Sequence, residues 1–244
     1  MRILVVNPNT TAAMTEKIGR AASAVAAPGT EIVAVNPPDG PASVEGYYDG
    51  ALSVPGMLAE IAKGEATGAS AHVIACFDDT GLEAARSIAL APVIGIGEAA
   101  FHLASMLGHR FSVVTTLSRS IAAIENNLLK YGLAGRCGKV RACELPVLSL
   151  DDPASNAAFQ IGAEIELAKR EERADVIVLG CAGMAALAAH LSEKHGLPVI
   201  DGVASAVKLA EALGALRLKT SKVGAYAPPR PKSYHGSFAS FERR

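Results

Sequence analysis

The chain has 244 residues, half of them hydrophobic, with 23 basic and 24 acidic side chains and no tryptophan. A chain of this length can bury a core of its own, in one large domain or in two smaller ones. Its near-neutral charge argues against a nucleic-acid partner and against an acidic membrane surface, because both normally select a basic excess. No apolar stretch reaches the roughly 18 residues that a membrane-spanning helix needs.

Short apolar runs alternate with helix-like stretches along the whole chain. The predicted strands are 3–6, 31–35, 71–75, 93–96, 111–114, 140–145, 176–179 and 199–200. The predicted helices are 11–27, 54–65, 82–89, 98–108, 119–131, 154–172, 185–195 and 204–213. Strands without polar alternation, separated by helices, are typical of βαβ units and parallel sheets. The tail at 228–244 is assigned no function.

The start of the chain and the cysteine pattern indicate the compartment. The chain opens directly with an apolar strand-like run, which is unlike a signal peptide. The four cysteines, Cys76, Cys137, Cys143 and Cys181, form no Cys-x-x-Cys pair and no Cys/His ligand spacing. We therefore expect a cytoplasmic protein with reduced thiols and no metal site.

The two halves of the chain repeat the same order of elements. RILVVNPNT at the start corresponds to RFSVVTTLS in the second half, and a strand ending at Cys76 corresponds to one ending at Cys181. The Val-Ile-Gly segment after Pro92 likewise corresponds to Val-Ile-Asp after Pro198. We therefore predict an α/β fold of two similar lobes, each a parallel sheet flanked by helices.

The repeat also predicts where the lobes meet. Residues 1–96 with 208–244 are predicted to form the first lobe, and 97–207 the second. Open α/β sheets bind ligands at the carboxyl ends of their strands, and here those ends are polar. Two lobes facing each other across a cleft, related by pseudo-twofold symmetry, would place Cys76 and Cys181 on opposite sides of a bound ligand.

Two opposed thiols suggest proton transfer at carbon. Inverting a carbon centre needs a base on one face and an acid on the other. A free thiol has a pKa of about 8.5, which a helix N-terminus lowers, and each of these cysteines precedes a predicted helix. Backbone N–H groups after each cysteine could stabilise the enolate oxygen. Such a reaction needs no metal and no organic cofactor.

Other reactive side chains are interpreted as structural. Cys137 and Cys143 lie in a weakly patterned stretch with no counterpart in the other half of the chain, and His102 falls inside a helix with apolar neighbours. We expect all three to have no catalytic role.

Several motifs, in order, carry a resemblance to a known family. They are VVNPNT near the start, GPASVEGYYDGALSVPG at 40–56, VIACFDDTG around Cys76, APVIGIGEAA at 91–100, FSVVTTL at 111–117 and VLGCAGM around Cys181. With them the chain resembles the aspartate/glutamate/hydantoin racemase superfamily over residues 1 to about 227. It is most similar to the hydantoin racemase branch, which includes allantoin racemases.

The resemblance implies a two-lobe fold, with Cys76 and Cys181 as the acid/base pair. It implies substrate contacts at the matching motif positions: Asn9, Thr10, Ser43, Phe77, Asp78, Thr115, Thr116, Ala182 and Gly183. Alternative roles are structural: Thr10 and Asp78 or Asp79 could cap the helices that follow them, and Thr115 and Thr116 could close a strand.

The residues after each cysteine bear on the substrate. Amino-acid racemases of the superfamily typically carry Cys-Asn-Thr after the first cysteine and Cys-Thr-His after the second. Here these positions read Cys-Phe-Asp from Cys76 and Cys-Ala-Gly from Cys181. This departure disfavours a free α-amino acid and fits a neutral ring such as a hydantoin, whose C5–H lies next to a carbonyl.

From this resemblance we expect a cofactor-independent isomerase that interconverts D- and L-5-monosubstituted hydantoins by transferring the C5 proton between two cysteines. An allantoin racemase with the same mechanism is the main alternative. A maleate-isomerase-like or decarboxylase-like enzyme with one nucleophilic cysteine and a non-catalytic small-molecule binding protein are further alternatives. The expected partner is a small-molecule substrate, and apolar helix faces predict a homo-oligomer.

Overall fold

The structure is a computed structural model that describes residues 1–242, apart from the side chains of Asp151 and Pro153. Arg243 and Arg244, the end of the predicted tail, lie outside the described residues. Within residues 1–242 there are two sheets of four strands each, and every strand pair is parallel. The strands of the first sheet are β1 (Arg2–Val6), β2 (Glu31–Val35), β3 (Ala71–Ile74) and β4 (Val93–Gly95). Those of the second are β5 (Phe111–Thr115), β6 (Cys137–Ala142), β7 (Val176–Gly180) and β8 (Val199–Asp201).

The two sheets have the same topology. The first runs in the order β2-β1-β3-β4 and the second in the order β6-β5-β7-β8. This correspondence confirms the predicted α/β fold of two similar lobes. The central strands are buried along nearly their whole length, since helices cover both faces of each sheet.

The helices are α1 (Ala12–Val25), α2 (Tyr47–Ala66), α3 (Leu82–Ile88), α4 (Ile96–Leu107), α5 (Ile121–Lys130), α6 (Ala157–Leu167), α7 (Ala188–His195) and α8 (Gly202–Ala215). Two of them cross between the lobes. Helix α4 leaves the first sheet and packs against β7 of the second, whereas α8 leaves the second sheet and packs against β3 of the first. The two crossing helices also pack against each other.

One hydrophobic core joins the two lobes. It contains Ile3 and Val73 of the first sheet together with Phe111 and Val178 of the second, all fully buried. Smaller clusters cover the outer face of each sheet. The cleft between the sheets is therefore held by a shared core, while the lobe boundaries at 96/97 and 207/208 stay a prediction.

The strand register brings the ends of β1 and β3 together in the first sheet, and those of β5 and β7 together in the second. In the first sheet Val6 pairs with Ile74, which brings the residues after β1 beside the segment that leads to Cys76. In the second sheet Thr115 pairs with Gly180, the residue before Cys181. The two cysteines therefore occupy equivalent places at the carboxyl edges of the two sheets.

Some predicted boundaries are wrong. Helix α2 begins at Tyr47 rather than at residue 54, because Pro55 lies inside the helix instead of in its first turn. Strand β6 begins at Cys137 rather than at residue 140, in register with Phe111.

The predicted long helix 154–172 is also divided. Its first two residues belong to a short 3-10 turn, which ends before Asn156. Asn156 has a φ of 50° and separates this turn from α6. The last residues form a π-helical turn, Ala168–Glu172. Among the described residues, no helix is both long and apolar enough to cross a membrane.

Candidate active site

Cys76 and Cys181 line one cavity between the two sheets. Its volume is about 40 Å³. Both thiols are partly exposed to this space. The position of both cysteines in one cleft agrees with the placement predicted from the repeat.

The structure brings most of the predicted contacts to this cavity. Besides the two cysteines, the predicted residues that line it are Asn9, Phe77, Asp78, Thr115, Thr116 and Ala182. Thr10, Ser43 and Gly183 are not among the lining residues.

Thr10 and Gly183 support the wall from behind. Thr10 donates from its backbone N–H and its hydroxyl to the carbonyl of Pro41, at 2.9 and 3.3 Å, so it fastens the end of β1 to the loop that carries Ser43. Thr10 does not cap α1, which starts after Thr11 and has no side-chain cap. The N–H of Gly183 is directed at the sulfur of Cys181, where it lowers the pKa of that thiol.

Two buried asparagines form the wall after β1. Asn7 donates through Nδ2 to Asn9 Oδ1 at 2.8 Å and to Thr15 Oγ1 at 3.0 Å. Asn9 Oδ1 also accepts from the N–H of Thr11 at 2.9 Å. These bonds fix both amides in place, so they can meet a polar ligand without being ordered by it.

The thiols are less acidic than the helix positions predict. Burial raises the pKa of Cys76, and the nearby charge of Asp78 raises it further. Burial raises the pKa of Cys181 to about 12, with a second contribution from Asp78. At both positions burial therefore outweighs the lowering of the thiol pKa that a following helix predicts.

The local backbone explains this difference. Cys76 is followed by a turn, and α3 begins only at Leu82, so its dipole does not reach the thiol. Cys181 directly precedes a 3-10 helix, Ala182–Leu187, and its backbone support comes from the N–H of Gly183. In both cases burial outweighs the local donors.

Asp78 is the carboxylate whose charge raises the pKa of both thiols. Burial raises the pKa of Asp78 to about 6. It does not cap α3, which has Gly81 before its first residue and no side-chain cap. Asp78 also borders a neighbouring cavity of about 300 Å³, where Thr80 and Asn126 lie on the wall.

The predicted residues on the other strand ends have mixed roles. The hydroxyl of Thr115 donates to the carbonyl of Gly180 at 3.0 Å, which closes β5 against β7 as the structural alternative predicts. The carbonyl of Thr116 accepts from the N–H of Leu145 at 3.1 Å. The ring of Phe77 packs edge-on against Phe101, with centroids 5.3 Å apart, and so belongs to the core.

Two loops from different lobes close over the cavity. Val44 and Val147 both line it, one from each lobe. Glu45, next to Val44, accepts through Oε1 from the N–H of Val147 at 2.9 Å. This bond joins the two loops across the cleft.

Sequence reasoning missed several lining residues: Met14, Val44, Ser120 and Val147. Asn7, at the polar end of the first predicted strand, also lines the cavity, although it was not among the predicted substrate contacts. Val147 had no signal in the sequence, because its place depends on how the lobes meet. Across residues 1–242, no group of three or more His, Cys, Asp or Glu is arranged to hold a metal ion.

Comparison with known proteins agrees with this geometry. The profile of the Asp/Glu/hydantoin racemase family matches residues 3–210. A hydantoin racemase from Rhizobium meliloti is 52% identical over 236 residues, which cover 97% of this chain and 98% of that protein. One from a Pseudomonas species, strain NS671, is 46% identical over 243 residues, 100% of this chain and 98% of the relative.

A solved structure is similar along the whole chain. The allantoin racemase from Klebsiella pneumoniae superimposes with a TM-score of 0.97 at 49% identity, over 99% of both chains. The resemblance predicted from the motifs is thereby confirmed.

Proposed function

Since this chain belongs to the Asp/Glu/hydantoin racemase family and is a racemase, we propose that it interconverts the D and L forms of 5-monosubstituted hydantoins. Cys76 and Cys181 transfer the C5 proton between the two faces of the ring. The observation that carries the proposal is that both thiols line one cavity from equivalent strand ends of opposite lobes.

The reaction needs one cysteine as a thiolate and the other as a neutral thiol. For one enantiomer, the thiolate of one cysteine takes the C5 proton, and the electron pair left on C5 is delocalised into the adjacent carbonyl as an enolate. The opposite thiol then donates its proton to the other face of C5. The cysteines end with exchanged protonation states, and the reverse reaction restores them.

The charges around the cleft determine when a thiolate forms. Burial raises the pKa of both thiols, and Asp78 adds to this effect. Lys17 of α1 acts on Cys181 in the opposite sense and lowers its pKa. The Gly183 N–H adds to the effect of Lys17, so Cys181 is the thiol better placed to ionise first.

The walls favour a neutral polar ring. The amides of Asn7 and Asn9 and the hydroxyl-bearing strand ends at Thr115 and Thr116 offer hydrogen bonds to ring carbonyl and N–H groups. A free carboxylate substrate would favour a cationic side chain, and within the described chain none is among the residues that line the cavity. We assign substrate contact to Asn9, Phe77, Asp78, Thr115, Thr116 and Ala182, with Thr10, Ser43 and Gly183 supporting them.

The loops at Val44 and Val147 are placed to control access to the thiols. Both residues line the cavity, and the bond from the Val147 N–H to Glu45 joins the loops across the cleft. Closure of these loops over the substrate would exclude water from the enolate.

Allantoin is the second candidate substrate, and the similarity to the Klebsiella pneumoniae allantoin racemase favours it. Allantoin is itself a hydantoin with a ureido group at C5, so the same proton transfer applies. The cavity beside Asp78, with Thr80 and Asn126 on its wall, offers polar groups for such a substituent.

The loss of optical rotation with each substrate tests the proposal. We expect deuterium from the solvent at C5, together with racemisation, for hydantoins or allantoin and not for aspartate. No activity on either ring would contradict the proposal. A covalent cysteine adduct with only one essential thiol would instead support the maleate-isomerase-like or decarboxylase-like alternative. The non-catalytic alternative is set aside, since the chain is a racemase.

Thiol acid/base chemistry requires reduced cysteines, which fits the cytoplasmic location predicted from the sequence. The homo-oligomer predicted from apolar helix faces stays a prediction.

A further inference from the structure

The helices that follow β4 and β8 are capped in different ways. In the second lobe, Asp201 caps α8, since its carboxylate accepts from the N–H groups of Val203 and Ala204 at 2.9 and 2.8 Å. The repeat aligns Asp201 with Gly95, which precedes α4 in the first lobe and has no side chain to act as a cap.

The missing cap of α4 comes from the loop that carries Cys76. Asp79 accepts from the N–H of Gly97 at 2.9 Å and from that of Glu98 at 2.7 Å. These donors lie two and three residues after Gly95, as the donors to Asp201 do in α8. The helix after β8 is thus capped by the residue that precedes it, whereas the helix after β4 is capped by a carboxylate from the Cys76 loop.

Two glycines make room for this contact. A Cβ atom on Gly95 would lie 2.1 Å from Asp79 Oδ1, and one on Gly97 would lie 2.4 Å from the carbonyl oxygen of Phe77. Larger residues at either position would push the cysteine loop away from α4. This explains the Gly-Ile-Gly sequence inside the APVIGIGEAA motif, which the substrate contacts leave unexplained.

Helix α5 and Tyr131, the residue that follows it, hold the same loop from the other side. The hydroxyl of Tyr131 donates to Asp79 Oδ2 at 2.8 Å, and Asn127 Nδ2 donates to the carbonyl of Asp78 at 2.7 Å. Tyr131 and Asn127 are one helical turn apart and therefore point the same way. Asp79 is 5% exposed, and its own N–H donates to the carbonyl of Cys76 at 3.0 Å.

We infer that Asp79 is a positioning residue for Cys76: through α4 and α5 it fixes the 76–80 loop, and so the place of the Cys76 thiol relative to that of Cys181. Cys181 has no corresponding loop, because it directly precedes its own helical turn. The inference rests on the proposed function in so far as Cys76 transfers a proton.

A pair of variants that moves the helix cap separates the effect of Asp79 on the position of Cys76 from its effect on stability. Asp79→Gly removes the shared carboxylate, and glycine suits the φ of 48° at this position. Adding Gly95→Asp to that variant gives α4 a cap of its own, equivalent to Asp201 in α8. We expect Asp79→Gly to lower both the unfolding temperature and kcat, and the double variant to recover the unfolding temperature only.

Alkylation with iodoacetamide, with each cysteine quantified by peptide mass spectrometry, reads the position of Cys76 in the double variant. The charge of Asp79 raises the pKa of Cys76, and Gly95→Asp restores a carboxylate close to the one that Asp79→Gly removes. In the double variant we expect Cys76 to react several times faster relative to Cys181 than in the unaltered chain. Because misplacing a reacting group by about 1 Å can cost about a hundredfold in rate, kcat should fall by up to that factor with KM little changed. Recovery of both kcat and the alkylation ratio would reduce Asp79 to a helix cap and overturn the inference.

A milder pair of variants covers the case in which Asp79→Gly does not fold. Tyr131→Phe removes only the hydroxyl that donates to Asp79, and Tyr226→Phe removes an equivalent hydroxyl that bonds to Glu83 on α3. We expect a raised Cys76 to Cys181 alkylation ratio in the first variant alone. An unchanged ratio, or the same change in both variants, would overturn the inference. Since alkylation needs no turnover, it distinguishes this failure from a failure of the proposed function.

Discussion

Glu45 and Val147 meet across the cleft between the two lobes, with Glu45 Oε1 accepting from the Val147 N–H at 2.9 Å. The residues beside this bond close the cavity over Cys76 and Cys181. The contact therefore links the relative position of the lobes to access to the thiols.

Removing this bond should weaken substrate turnover. A hydrogen bond to a charged group contributes about 1.5–3 kcal/mol when it is well formed, and this one is partly exposed, so we expect Glu45→Ala to lower kcat/KM about tenfold. Glu45→Gln retains an acceptor oxygen and should stay near the original value. Polarimetry on both variants checks this, and equal kcat/KM in all three proteins would show that the bond does not control closure.

The negative charge of Asp78 should lower the rate at which both thiols are alkylated. Its pKa is raised to about 6, so at pH 7.5 or above it is mostly ionised and raises the pKa of both cysteines. Asp78→Asn removes the charge, and we expect Cys76 and Cys181 to react with iodoacetamide about threefold to tenfold faster, because one pKa unit is a tenfold change in thiolate.

The effect of Asp78→Asn should depend on pH. Below about pH 5 Asp78 is protonated in the unaltered chain, so the two proteins should react at the same rate. Asp39→Asn, at an exposed position, is the matched control. Equal reactivity of the Asp78→Asn variant and the unaltered chain at pH 8 would contradict the electrostatic role of Asp78.

While Asp79 is in place, Gly95 should tolerate no side chain. A Cβ there would lie 2.1 Å from Asp79 Oδ1, and overpacking typically costs about 1–3 kcal/mol. We expect Gly95→Ala to lower the unfolding temperature by several degrees. Gly135→Ala, where a Cβ has nothing within 4 Å, should leave it unchanged. Calorimetry on the two variants decides, and similar melting temperatures would mean that the loop at Asp79 moves freely.

The repeat made the fold and the two catalytic candidates predictable from the sequence. Strands that recur in the same order predict the same sheet order, and a cysteine at matching strand ends predicts a shared cleft. Asn9, Phe77 and Asp78 followed from motifs that border those strand ends. The sequence pattern could thus predict which residues reach the cleft when they lie within a few residues of a strand end.

Contacts made between the lobes were beyond such reasoning. Val147 and Glu45 lie far apart in the sequence, and no periodicity relates them. The predicted helix 54–65 extends back to Tyr47 as α2 and contains Pro55. Asp79 looked like a cap for α3, whereas its carboxylate caps α4. In each case tertiary packing decided between local options that were similar in energy.

Proton exchange by the single-cysteine variants tests the two-thiol mechanism most directly. Each enantiomer is incubated in D₂O with Cys76→Ser or Cys181→Ser, with Cys137→Ser as the control, and C5 deuterium and optical rotation are followed together. Loss of a catalytic acid or base costs about 10²–10⁴ in rate, so both variants should lose racemisation by about that factor. We predict that each variant still exchanges the C5 proton of one enantiomer without inverting it, and that the two variants act on opposite enantiomers. Normal racemisation by either variant, or exchange of the same enantiomer by both, would contradict the mechanism.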